Sequence, residues 1–516
     1  MSLAQVGRVH FLGLAGVGVS AVARVMQAQG VPISGTDAKD LPVLEEFRAA
    51  GVPVRVGYRA ENISSVEEEV GAPIDTVIAS SIAQAGNPEY EEARRRGVRV
   101  LHRSQGLAAV MDAQRGVAVA GTHGKTTTTS MTAMLLSRAG LHPGFAVGAA
   151  VAGLGTNAAA GAGEWFVAEA DESDGSLLNY RPEVAVITNV EADHLDHHGT
   201  AEAVHQVFVD FTARILDGGT LILCVDDDGA RALLDDVAED LAARGVQVLT
   251  YGTAPDARLR LVTDPAEDAD VGETPGAGVH SSAGAPSSAG TPSSADRPLR
   301  AAQTFVIAET EAAEPSAAVA VRAALSVPGR HNALNAVAAV AVGRCAGLTL
   351  EEAAQAVEAF RGVARRFDLQ GEAAGVRVYD DYAHHPTEVA ALLTAARSAV
   401  AEAAGVHVIF QPHLFSRTQE FAAEFAAALR GADTVAVLEI YAAREEPMDG
   451  VSAELITDPL FSGTDAPAGG LRSREEAVRT VIAAAHPGDI VLTVGAGDVT
   501  ALGPRLVEEL AEEGRR

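Results

Sequence analysis

Gly121, Thr122, His123 and Gly124 follow the apolar run Val117–Ala120 and lead into Lys125, Thr126 and Thr127, where a helix-like stretch begins. Backbone N–H groups of such a turn can point at a β-phosphate, a following lysine can reach the β and γ oxygens, and a threonine hydroxyl can sit on Mg2+. Strand, glycine turn, Lys-Thr and helix in that order predict a site for ATP and Mg2+. The usual G-x-x-x-x-G-K-[ST] spacing fails, because Val119 stands where the first glycine belongs. Lys125 reads as an exposed loop cation, whose removal abolishes turnover without cost to the fold.

Other candidates lie before and after this turn. Gly16, Gly18 and Ala21 fit G-x-G-x-x-A between a strand and a helix, with Asp37 ending the next strand. That is a diphosphate-binding turn, and taken alone it fits an NAD-dependent dehydrogenase, or a tight βα turn that binds nothing. Acids follow two later strands: Glu169, Asp171, Glu172 and Asp174 after the first, Asn189, Asp193, His194 and Asp196 after the second. Carboxylates at the C-terminal ends of parallel strands can take a metal, or they can be solvated turns. Asn332 and Asn335 lie on one side of a helix start, where amides can read an adenine edge or cap the helix. Arg365, Arg366 and Arg417 suit an anionic transition state or a carboxylate, and equally a wet surface. His384 and His385 can be metal ligands or hydrogen-bonded structure.

The elements that must position these residues are alternating strands and helices. Apolar runs at Arg8–Leu12, Val31–Ile33, Val52–Val56, Thr76–Ala79 and Val98–Leu101 predict a parallel sheet within residues 1–112. Runs at Gly116–Ala120, Trp165–Ala168, Val184–Thr188, Thr220–Val225 and Val246–Tyr251 predict a second, within 113–326. Runs at Val376–Tyr379, Val406–Phe410, Thr434–Leu438 and Asp489–Val494 predict a third, within 327–516. The expected fold class is α/β in three domains, N-terminal and C-terminal Rossmann-like units around a central P-loop unit. A Pro/Gly/Ser/Ala-rich stretch at about 265–297 has nothing to bury and reads as a disordered surface insert whose deletion leaves catalysis intact.

Bulk properties narrow the function further. A net charge of −30 argues against nucleic acid, so an anionic ligand must be held by local donors. The two cysteines, Cys224 and Cys345, sit in apolar surroundings and favour a reducing compartment, the cytoplasm. Three glycines interrupt the apolar stretch Val9–Ala23, which argues against a signal peptide, and no run is long enough for membrane insertion. Oligomeric state is left open.

Taken together, "GTHGKTTTT", "DDYAHHPTE" and "FQPH" resemble the Mur ligases, ATP-dependent amide-forming enzymes of peptidoglycan synthesis, over nearly the whole chain apart from the insert. The resemblance is to the branch that joins L-alanine to the lactyl carboxylate of UDP-N-acetylmuramate through an acyl phosphate. It implies that Gly16, Gly18 and Asp37 hold a uridine diphosphate rather than NAD. Thr126 and Glu169 would hold one Mg2+ and His194 a second. Asn332 would meet adenine with His331 beside it, and Arg366 and Asp381 would face the reaction centre. His384, His413 and Arg417 would orient L-alanine, and the C-terminal unit would rotate on ligand binding. Two departures stand out: no lysine suited to carbamylation follows Lys125 in the central region, and Leu414 and Phe415 replace a basic residue and a tyrosine common among relatives. The rivals are a recycling ligase that attaches a whole tripeptide to the same sugar, the dehydrogenase, and a regulatory P-loop ATPase. Glu388, which completes "HHPTE", favours alanine over the tripeptide.

Overall fold

The computed structural model describes residues 3–80, 86–193, 195–262, 303–311, 314–443, 445–462 and 472–515. Three sheets follow one another along the chain. The first is wholly parallel, with β1 (Val9–Leu12), β2 (Ile33–Asp37), β3 (Val54–Val56), β4 (Thr76–Ala79) and β5 (Arg99–His102) in the spatial order 3-2-1-4-5. β1 therefore lies between β2 and β4, so the chain changes direction across the sheet at the carboxyl end of β1, where ligands bind in open α/β sheets. The glycine turn of Gly16 and Gly18 occupies that point, opening the helix Val17–Ala28.

The second sheet has ten strands. These are β6 (Arg115–Ala120), β7 (Gly144–Ala146), β8 (Ala158–Ala159), β9 (Trp165–Glu169), β10 (Val184–Ile187), β11 (Thr220–Cys224), β12 (Gln247–Gly252), β13 (Leu259–Val262), β14 (Gln303–Glu311) and β15 (Glu314–Leu325). β6 pairs in parallel with both β9 and β10, again making its carboxyl end a switch point. Val117–Ala120 and Val184–Ile187 are buried throughout, as strands covered on both faces must be. β13 joins β12 in parallel, and β14 and β15 then extend the sheet by antiparallel pairing. The third sheet runs β16 (Asp368–Ala373), β17 (Val376–Asp381), β20 (Ile490–Val494), β18 (Val406–Phe410), β19 (Thr434–Val437), parallel except for β16.

Several sequence expectations shift. The sequence starts β2 at Val31, whereas the strand is Ile33–Asp37, of low apolar content. Its Gly35 is required by packing, since a Cβ there would lie 2.9 Å from both Leu14 Cδ2 and Phe11 O. β7, β8 and β13 escape an apolar-run criterion because they are short, and β16 because it is an edge strand with half-exposed alternation over Asp368–Ala373. The helices Arg330–Cys345 and Leu350–Val357, placed by the sequence with the C-terminal unit, pack instead in the central core. Ala336, Val340, Ala353 and Val357 share a buried cluster with Val117, Met131 and Leu135. The insert at 265–297 falls outside the described residues. Among them, no helix is long and apolar enough to cross a membrane.

Candidate active site

The phosphate-type turn forms as its residue types demand. Gly121 has φ 125° and Gly124 φ 82°, conformations costly for any residue with a Cβ. A Cβ on Gly121 would lie 2.0 Å from Thr188 Oγ1, and one on Gly124 would lie 2.8 Å from Asn335 Oδ1. Lys125 opens the helix Lys125–Arg138, which is buried along most of its length although it begins with four threonines. Several of its hydroxyls donate to carbonyls one turn back: Thr129 Oγ1 to Lys125 O at 2.7 Å, Ser130 Oγ to Thr126 O at 2.7 Å and Thr132 Oγ1 to Thr128 O at 2.8 Å.

Lys125 itself is not an exposed cation. Its Nζ donates to Gly121 O (2.8 Å), Thr122 O (3.1 Å) and Glu172 Oε1 (2.8 Å), with side-chain exposures of 13% for Lys125 and 2% for Glu172. Burial works against its charge, but Glu172 and Asp171 outweigh burial and keep it protonated. Beside it Thr126 Oγ1 donates to Glu169 Oε1 at 2.7 Å, while the other oxygen of Glu169 accepts from Gly148 N at 2.8 Å. A hydroxyl and a carboxylate so placed are hard oxygen donors of the kind Mg2+ takes, one protein carboxylate with phosphate oxygens and water completing the shell. His194 lies outside the described residues.

One cleft of about 750 Å³ is lined from all three sheets. The N-terminal unit contributes Gly16, Gly18 and Arg103, the central one Lys125, Thr126, Glu169 and Asp193, and the C-terminal one Arg366, Tyr382, His384 and Glu388. Asp37 is not among its lining residues; its Oδ2 accepts from Ala15 N at 2.9 Å and so holds the glycine turn in shape. A second, smaller cavity adjoins the turn, where His123, Gly124, Thr126 and Thr127 meet His331, Asn332 and Asn335 among apolar Val327, Phe360 and Leu392. Asn332 donates to Pro328 O at 2.6 Å, which closes the helix start and leaves its carbonyl oxygen for another partner. His331 is pushed down to about 4 by burial.

Across the cleft, Arg366 lies 3.6 Å from Glu388 and over the Tyr382 ring at 5.2 Å. Asp381 accepts from Phe367 N and Ala383 N, both at 2.7 Å, bracing the two segments that present Arg366 and Tyr382. Burial raises Asp381 to about 6 despite Arg366. Burial also drives His384 down to about 3, so it is a neutral imidazole. Arg417 reaches between lobes to Asp193 at 2.7 Å, both side chains 5% exposed. His413 lies outside the cleft lining, stacked 5.9 Å from Tyr441 and edge-on at 5.9 Å to His384. Arg365 also lines the cleft, bonded to Asp380 at 3.2 Å and to Gly495 O at 2.8 Å.

Two glutamates have partners that a motif-by-motif reading does not reach. Glu388, in the first turn of the helix Pro386–Ser398, accepts from His384 N at 2.9 Å and approaches His123 Nδ1 at 3.3 Å as well as Arg366. A glutamate at a helix start is a legible signal, since the dipole favours an anion there, but its partners lie on other segments. Glu445 accepts from Phe415 N (2.6 Å) and Ser416 N (3.1 Å), capping the helix Phe415–Leu429 that carries Arg417. Leu414 precedes that helix, 4% exposed, so the departure from a basic residue coincides with an apolar seat.

Sequence profiles of three families match in order. "Mur ligase family, catalytic domain" covers residues 8–115, "Mur ligase middle domain" 119–343 and "Mur ligase, glutamate ligase domain" 365–497. The chain is 52% identical over 508 residues to the UDP-N-acetylmuramate–L-alanine ligase of Paenarthrobacter aurescens, covering 98% of each. It is 52% identical over 513 residues to the corresponding ligase of Arthrobacter sp., covering 99% of this chain and 97% of the relative. Among solved structures, the UDP-N-acetylmuramate-alanine ligase of Thermotoga maritima superposes with a TM-score of 0.70 at 25% identity, covering 98% of this chain and 99% of that one.

Proposed function

The chain belongs to the Mur ligase family, and from that premise we infer that it is an ATP-dependent ligase of peptidoglycan synthesis, joining L-alanine to the lactyl carboxylate of UDP-N-acetylmuramate with release of ADP and phosphate. The observation that carries this reading is the single cleft onto which the glycine turn at Gly16, the Lys125 turn and the Arg366–His384 segment all open. Three reactants need one meeting place, and this cleft has a wall from each sheet. The reaction belongs to the cytoplasm, where ATP is made.

The division of labour follows from the charges. Gly16 and Gly18 let backbone approach the uridine diphosphate at a helix N-terminus, with Arg103 nearby as a cation. Asn332, Asn335 and His331 border the adenine cavity, and Gly121–Thr127 surround the phosphates. Lys125 exchanges Glu172 for phosphate oxygens and holds the γ-phosphate against the lactyl carboxylate. Thr126 and Glu169 would hold Mg2+, with His194 as the residue for a second ion, and the metal supplies neutralisation of phosphate charge.

Attack of the lactyl oxygen on the γ-phosphorus gives an acyl phosphate and ADP. The α-amine of L-alanine then attacks the acyl carbon, phosphate leaves, and the amine's proton goes to solvent or to the departing phosphate. Arg366 faces this centre as a cation braced by Asp381, while Arg417 and Asp193 offer complementary charges to the carboxylate and ammonium of the amino acid. His384 adds a neutral contact and His413 supports it from behind.

The test is a coupled phosphate-release assay with UDP-N-acetylmuramate, ATP and a panel of amino acids. L-Alanine is expected to give the highest kcat/KM. Preference for L-Ala-γ-D-Glu-diaminopimelate would transfer the chain to the tripeptide branch.

A further inference from the structure

His385 follows the cleft residue His384 in sequence but does not line the cleft. It is 5% exposed, and among the described residues neither of its ring nitrogens meets a hydrogen-bond partner. A buried imidazole with both nitrogens unserved is costly, and native structures rarely leave one so. Its ring lies 4.8 Å from the ring of His123 and is held edge-on by Phe421 at 4.9 Å. Glu191 completes a group in which the ligand atoms of His123, Glu191 and His385 all lie within 4.8 Å of one another.

We propose that His123, Glu191 and His385 form a transition-metal site, suited to Zn2+, that ties the phosphate turn of the central lobe to the C-terminal lobe. Two imidazoles and a carboxylate are a zinc donor set with a fourth position left open. Mg2+, which prefers oxygen, is excluded by the same chemistry, so the site is separate in kind from the Thr126–Glu169 pair. The surroundings are those of a metal site too. His123 Nδ1 faces Glu388 Oε1 at 3.3 Å, which leaves Nε2, 3.7 Å from Glu191 Oε2, to bind the ion; Glu191 in turn accepts from Thr387 Oγ1 at 3.0 Å. A carboxylate behind a ligating imidazole fixes its tautomer and raises its basicity. Donors around a tetrahedral ion at about 2.1 Å lie about 3.4 Å apart, so the widest pair here must close by roughly 1.4 Å, a rotamer-scale adjustment of Glu191 and His385.

Because His123 belongs to the phosphate turn of the central lobe and His385 to the C-terminal segment that carries His384, a bound ion would resist relative motion of the two lobes and inhibit turnover. The experiment titrates the full-length protein with Co2+, and with Zn2+ against a chromogenic chelator, both in excess Mg2+. One ion per chain is expected, with the visible spectrum of tetrahedral Co2+ in a nitrogen and oxygen field. His385→Gln and Glu191→Gln are each expected to weaken affinity at least 100-fold while circular dichroism reports a folded chain. X-ray absorption of the zinc-loaded wild type, which needs no variant, is expected to show two imidazoles. No binding by the wild type, equal binding by both variants, or a zinc shell without imidazole would overturn the proposal.

Discussion

At the scale of single residues, Lys125 has a stability role that its sequence context conceals. Burial already pushes the Glu172 carboxyl up to about 7, so removing the cation strips a buried acid of its lysine, and breaking a buried pair from one side costs up to about 3–5 kcal/mol. Lys125→Ala should therefore lose both turnover and stability, and Lys125→Ala combined with Glu172→Gln should regain stability alone. Urea midpoints of the three proteins check this; equal midpoints would mean that the ion pair contributes nothing. His331 supplies a pH dependence. Its folded value of about 4 lies below the ordinary 6.5, so between these values the unfolded chain binds more protons and stability falls as pH drops. The slope from this one group is at most about 1.4 kcal/mol per pH unit, and it should disappear in His331→Gln when unfolding is followed from pH 7 to pH 4.

At the scale of elements, the strands that bear the chemistry were legible because they are central. β6, β10, β18 and β20 are buried on both faces and spell continuous apolar runs. The edge strands β8 and β16 carry no such run, and the helix Arg330–Cys345 carries no mark of which core it joins, since alanine and valine pack equally well on either. In the site, Lys125, Thr126 and Glu169 could be read from short-range order, whereas Glu388 and Glu445 could not: their partners are separated in sequence and meet only when lobes and loops assemble. Glu445 gives the element its own prediction. Glu445→Ala uncaps Phe415–Leu429 and should cost about 1 kcal/mol, while raising KM for L-alanine more than it lowers kcat, because the helix aims Arg417. An unchanged KM would detach that helix from amino-acid binding.

At the scale of the whole molecule, the central and C-terminal lobes are joined by the Arg417–Asp193 pair and by Thr387 on Glu191. Asp193→Ala should loosen this closure, increasing the radius of gyration of the ligand-free protein in small-angle scattering; saturating ATP analogue and sugar nucleotide should restore part of the difference. An unchanged radius would place the closure elsewhere. The far edge of the central sheet has a different meaning. β13 ends at Val262 and β14 begins at Gln303, and Val262 pairs with Val306, so the chain departs and returns on neighbouring strands at a distance from the cleft. Whatever is spliced between those strands must close only a short gap, and the entropy of closing a longer loop grows slowly with length. That edge is thus a natural graft point: a fluorescent reporter or affinity tag inserted there should ride on a working enzyme.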